Sequence, residues 1–82
     1  MILQADHELN TEGLYCPEPV MLLHNKIRDI EPGEVVKVIA TDPSTARDIP
    51  KFCTFLNHPL LQQQRQGDLF IYFVQKKPSE DV

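Results

Sequence analysis

The run Val35-Val36-Lys37-Val38-Ile39-Ala40 does most to limit how this chain can fold. Its β-branched side chains are stiff and suit a pleated surface, while Pro32-Gly33 before it and Asp42-Pro43 after it punctuate both ends. It reads as a largely buried strand. Upstream, Val20, Leu23, Ile27 and Ile30 recur at helical spacing with Lys26, Arg28 and Asp29 off that stripe, so a first helix runs from Pro17 to the Pro32-Gly33 stop. Downstream, Asp42 is a good N-cap residue and Pro43 suits a first helical position, which predicts a second helix from Pro43 towards Leu56. Pro50 lacks a backbone donor and crowds the preceding turn, so this helix is expected to break or kink near Asp48 to Pro50.

A strand between two helices needs strand partners, and the sequence offers three. His7 to Asn10 is a short candidate, Leu60 to Gln66 a weakly patterned one, and Leu69-Phe70-Ile71-Tyr72-Phe73-Val74 a strongly apolar one. Between the last two, Gly67-Asp68 suits a two-residue type II′ hairpin turn, so they pair antiparallel. The element order is β-α-β-α-β-β. With right-handed strand-helix-strand crossovers this gives an α/β fold: a two-layer α/β sandwich, a mixed four-stranded sheet with two helices on one face. The other sheet face is uncovered. Either Leu69, Ile71 and Phe73 or Phe70, Tyr72 and Val74 must point that way, screened by long polar side chains or offered to a protein partner.

Eighty-two residues leave room for a single domain, 1–82, with an ordered core of about 7–76 and loosely held ends at Met1 to Asp6 and Pro78 to Val82. The 12 acidic against 8 basic side chains argue against tight direct nucleic-acid binding, which requires a basic face. No apolar run is long enough to cross a membrane, and the first residues show no signal-like pattern, so a cytoplasmic location is expected. His7, His24 and His58 are far apart, Cys16 and Cys53 form no C-x-x-C pair, and glycine occurs only at 13, 33 and 67, so neither a metal nor a nucleotide cofactor is expected. Neither His24 nor His58 is placed beside Cys16 by spacing, and Arg47 and Asp48 read as helix-end or solvated charges.

The chemistry concentrates in Gly13-Leu14-Tyr15-Cys16-Pro17-Glu18-Pro19. With Pro17 as the first helical residue, Cys16 is the N-cap, where the helix dipole and free backbone N–H groups favour a thiolate. Pro19 removes one of the usual capping donors and Glu18 sets a negative charge nearby, so the expected thiol is moderately activated. The prolines hold the sulfur at a stiff, projecting corner that a second protein can reach. No neighbouring cysteine can resolve a modified Cys16, which suits a carrier. The residues alone also allow Cys16 to be a small packed side chain, and they allow a Cys16–Cys53 redox switch if the α-carbons come within about 7 Å. Cys53, between Phe52 and Thr54-Phe55, reads as core.

The segment from Gly13 to Met21, Pro32-Gly33-Glu34 and the D-P-x-x-x-R-D-I-P-x-F-C-x-F pattern from Asp42 to Phe55 resemble the TusA (SirA-like) sulfur-carrier family, over about His7 to Lys76. C-P-x-P marks the broad family, and the second pattern points to its TusA branch. The resemblance implies the two-layer fold reached above. It also implies that Cys16, in a loop shaped by Pro17, Glu18 and Pro19, takes sulfur as a persulfide from a cysteine desulfurase of the IscS type. The sulfur then passes to a TusBCD-type relay for 2-thiouridine at the tRNA wobble base. Relatives supply molybdenum cofactor synthesis or sulfur oxidation, and a non-catalytic interaction or regulatory module is the alternative of another class. A carrier that shows its thiol to successive partners is expected to be a monomer. Relatives often have a basic residue before the cysteine, where this chain has Tyr15.

Overall fold

The computed structural model describes residues 4–78. The elements run β1 (His7–Thr11), α1 (Glu18–Asp29), β2 (Val35–Ala40), α2 (Thr45–Leu56), β3 (Leu60–Gln66) and β4 (Leu69–Gln75). They form the α/β arrangement expected from the sequence. The sheet order is β1-β2-β4-β3, with β1 parallel to β2 and the other two pairings antiparallel. Thus β4 lies between the two strands that α2 connects, and the glutamine-rich β3 becomes an edge. Gly67 at φ 60° opens the β3–β4 hairpin and Asp68 has no positive φ, the signature of the expected type II′ turn.

The register explains the core. Val36 pairs with Val74, Val38 with Tyr72 and Ala40 with Phe70, so these side chains share the helix-covered face. Leu23, Ile27 and Ile30 of the first helical stripe pack against that face together with Ile49 and Cys53 from α2. A fully buried side chain such as Leu23 contributes about 1.5–3 kcal/mol through water exclusion. Val35, Lys37 and Ile39 alternate onto the other face and are only partly buried, so β2 is buried on one side, not throughout.

On that open face Ile71 and Phe73 retain only 5% and 6% of their exposure. They sit between Gln64 and Gln62 of β3 and Ile39 and Lys37 of β2, so the face carries no broad apolar patch there. Screening by neighbouring strands, not an apolar docking surface, accounts for this set.

Three boundaries differ from expectation. Cys16 is not the N-cap of α1: Pro17 is, the helix starts at Glu18, and the Cys16–Pro17 peptide is cis. Proline is well tolerated in the first turn because those N–H groups have no partner within the helix. The second helix begins at Thr45 after a tight turn in which Thr45 N–H donates to Asp42 O at 3.0 Å and Ala46 N–H to Pro43 O at 3.1 Å. It continues without a break through Pro50. The carbonyl that Pro50 cannot satisfy is that of Ala46, on an exposed residue, so water can replace the missing donor.

At its end α2 closes on Asn57 in the left-handed region, with its N–H and that of His58 directed at Thr54 O and Cys53 O. The last turn of α1 is closed by Lys76, whose Nζ donates to Ile30 O at 2.7 Å. Of the ends expected to be loose, Asp6 is held by two bonds to Val35, one through each backbone N–H. The remainder of that expectation lies mostly outside the described residues.

Candidate functional site

Because β1 and β2 are adjacent and parallel, the loops that leave their C-terminal ends lie side by side. The first carries Cys16 and the second Asp42, 26 positions apart in sequence. Cys16 N–H donates to Asp42 Oδ2 at 2.6 Å, and Gly13 N–H donates to Thr41 Oγ1 at 2.9 Å. Asp42 is 92% removed from solvent yet has no unmet acceptor need. It also accepts from Ser44 N–H at 3.0 Å and Ser44 Oγ at 2.8 Å. These donors hold its carboxyl below the ordinary range, the Ser44 backbone most strongly and the Cys16 backbone next.

A buried relay anchors this clasp in the core. Thr45 Oγ1 donates to Asp42 O at 2.7 Å, which uses its only hydrogen, so Tyr72 OH must be the donor in the 2.8 Å contact with Thr45 Oγ1. A central strand thereby fixes the turn that holds the cysteine loop.

Above the clasp, Cys16 is exposed and opens onto a groove of about 760 Å³. Pro17 and Val20 line it from the start of α1, and Asp48, Pro50, Lys51, Phe52, Thr54 and Phe55 from α2. Phe55 is 85% exposed and Tyr15 71%. Cys16 is thus exposed, as a projecting corner requires, but its electrostatics differ from expectation. Asp48 pushes the thiol up from its ordinary range, first as a hydrogen-bond acceptor and also through its charge; partial desolvation and Asp42 act the same way, and the Ser44 hydroxyl opposes them.

The cap position behind the moderately activated thiol expected from the helix dipole is not found, and the groups around the sulfur favour its neutral form. One physical reason is position: the sulfur sits before the cap, and Glu18 N–H is taken by Tyr15 O at 2.9 Å, not by the cysteine side chain. The second is that the nearby negative charges belong to Asp48 and Asp42, while Glu18 is not among the groups acting on the sulfur. Asp48 itself is pinned by Arg47 Nε at 3.0 Å, which with the Cys16 hydrogen bond holds its carboxyl low.

Of the other residues singled out, Pro17 lines the groove, Glu18 is exposed, and Pro19 is buried under the first turn of α1. Cys53 lies in the core, 3% exposed, and burial pushes its thiol up to about 11. Both cysteines are free. His24 and His58 both pack on Phe52, edge-on and stacked, with centroids at 5.8 Å, and neither lines the Cys16 groove. Among the described residues no His, Cys, Asp and Glu cluster has metal-binding geometry. The same residues contain no helix long and apolar enough to cross a membrane.

Asp42, Ser44 and Asp48 were not identifiable as neighbours of Cys16 from spacing. The available signal is topological: two parallel neighbouring strands put their following loops together, the arrangement in which α/β sheets commonly place sites.

The architecture is that of the SirA-like proteins. It superimposes on the crystal structure of a SirA-like protein from Desulfitobacterium hafniense with a TM-score of 0.77 and 15% identity, covering 87% of this chain and 97% of that one. Residues 7–76 match the family described as Sulfurtransferase TusA. The sulfur carrier protein TusA of Pseudomonas aeruginosa strain LESB58 is 57% identical over 77 residues, 94% of this chain and 98% of that protein. Its counterpart in Pseudomonas paraeruginosa strain PA7 is 60% identical over 73 residues, 89% and 92% of the two chains. This chain belongs to the TusA family.

Proposed function

We propose that the protein is a sulfur carrier that holds sulfur as a persulfide on Cys16. The observation that carries this reading is the exposed Cys16 at a corner braced by Asp42, in a chain of the TusA family. Loading is a thiol exchange at sulfur. The Cys16 sulfur bonds to the outer sulfur of a donor persulfide, the donor's S–S bond breaks, and the departing donor sulfur takes up the proton that Cys16 loses. No external oxidant or reductant is consumed. Unloading repeats the exchange with an acceptor thiol.

A cysteine desulfurase of the IscS type is the proposed donor and TusBCD-type proteins the proposed acceptors, in the cytoplasm, with wobble 2-thiouridine of tRNA as the end use. The acidic composition suits transfer between proteins without tight contact to the tRNA. The working unit is a monomer and a single domain.

Intact-protein mass spectrometry after incubation with an active cysteine desulfurase and free cysteine tests the reading. The wild type gains one sulfur that thiol reductants remove, and Cys16→Ser gains none. Loading retained in Cys16→Ser would overturn it.

A further inference from the structure

The loop between β1 and α1 is tied to the loop after β2 at two points, and the two are not equivalent. Gly13 N–H reaches Thr41 Oγ1 at 2.9 Å near the root of the loop, where Leu14 N–H also closes on Thr11 O at 3.1 Å. Further out, Cys16 N–H donates to Asp42 Oδ2 at 2.6 Å, so the second tie falls on the sulfur-bearing residue itself. Tyr15 and Cys16 are both exposed, so side-chain packing does little to hold this tip.

Asp42 is built as a fixed acceptor. Its Oδ1 takes Ser44 N–H, its Oδ2 takes the Ser44 hydroxyl as well as the Cys16 amide, and its carbonyl takes both donors of Thr45. Each carboxylate oxygen thus faces a backbone N–H, a demand that an amide side chain of the same shape cannot meet on both sides. An asparagine here keeps its oxygen on Ser44 N–H, the local turn that asparagine and aspartate both favour. Its NH2 group is then opposed to Cys16 N–H, donor against donor.

We propose that Asp42 is a positioning residue for sulfur transfer between proteins: by holding the Cys16 amide against the loop after β2, it sets where the sulfur stands when a partner docks. The purpose of this hold rests on the persulfide reading above. Exchange at sulfur needs the attacking sulfur lined up with the S–S bond that breaks. When each sulfur belongs to a folded protein, docking fixes that line only as well as the two loops are held. A small disulfide turns to meet the thiol wherever it stands, so it does not need the hold.

The test compares wild type, Asp42→Asn and Ser44→Ala in two reactions, with thermal melting as the control for folding. The first is sulfur loading by an active cysteine desulfurase, with rate followed against carrier concentration. The second is reaction of Cys16 with dipyridyl disulfide, an uncharged reagent, read by peptide mapping. In Asp42→Asn the saturating rate of loading falls about tenfold or more with KM within about twofold, because misplacing a reacting atom by an ångström costs up to about a hundredfold. The small reagent reacts no more slowly than with wild type. Loss of the carboxylate charge eases ionisation of the thiol and by itself would quicken both reactions, so slower loading cannot come from charge. Ser44→Ala removes one donor that steadies Asp42 and shows the same pattern, at about threefold.

An unchanged saturating rate in folded Asp42→Asn, or an equal fall in both reactions, overturns the proposal. Should Asp42→Asn fail to fold, Ser44→Ala decides by the same two criteria. Loading that survives Cys16→Ser, or a wild type that takes up no sulfur, overturns the persulfide reading and this role with it. A wild type that loads on Cys16 beside an unaffected Asp42→Asn overturns the role of Asp42 alone.

Discussion

The two cysteines occupy opposite settings and both resist ionisation, for different physical reasons. Cys53 is raised by burial among Leu23, Ile49 and Tyr72, a state that lasts as long as the fold does. Cys16 is raised mainly by a carboxylate beside an exposed sulfur. Charge at an open site is reversible, since a partner's cation or a change of one side chain removes it, whereas desolvation in a packed core is not. A buried thiol and an exposed one thus share one small chain without sharing an environment.

Serine substitutions separate the two most sharply. Cys16→Ser eliminates sulfur loading and leaves the melting temperature unchanged, because the side chain makes no core contact. Cys53→Ser does the reverse: a hydroxyl replaces the buried thiol without an assigned partner, costing about 1–3 kcal/mol of stability, while loading of the folded fraction is retained. Urea denaturation alongside the loading assay reads both. Equal effects on both measurements in either variant would break the distinction.

The clasp that joins core to site gives a smaller effect. Tyr72→Phe deletes the donor to Thr45 Oγ1 but leaves the Thr45 bond to Asp42 O, so a loss of about 0.5–1.5 kcal/mol is expected. Amide exchange at Thr45 and Cys16 should quicken along with it. Smallest is a pH effect at His58, whose imidazole is held below its ordinary value by burial first, then by Lys77 and Lys76. The unfolded chain takes up this proton near the ordinary histidine value and the folded chain only at lower pH. Stability from this group is therefore complete above that value and declines as pH falls towards the folded one. His58→Gln should flatten that part of the urea-midpoint profile, which lies above the range where Asp42 and Glu34 protonate.

Much of the fold is legible locally. The β-branched strand, the helical stripe ending at Ile30 and the Gly67-Asp68 turn are short-range signals that tertiary packing reinforces. The edge position of β3 is not, because its run of glutamines lacks an apolar period and only pairing with β4 makes it a strand. Pro50 was expected to interrupt a helix, yet Ile49 and Cys53 on either side of it are both core residues, and their burial outweighs one missing bond. At the site, the reactive loop announces itself through Cys16 between unusual prolines. Its electrostatic surroundings do not, since Asp42 and Asp48 reach it only through the parallel pairing of β1 and β2 and the register of α2.

The clasp grips Cys16 by its amide, an atom that takes no part in any chemistry at the sulfur. Whatever the side chain carries, the amide keeps the same hold from Asp42, which Ser44 and Thr45 hold in turn. The empty and charged carriers consequently present nearly one outline to the cell. A partner that must tell a full courier from a spent one has to inspect the parcel itself, at the tip of residue 16.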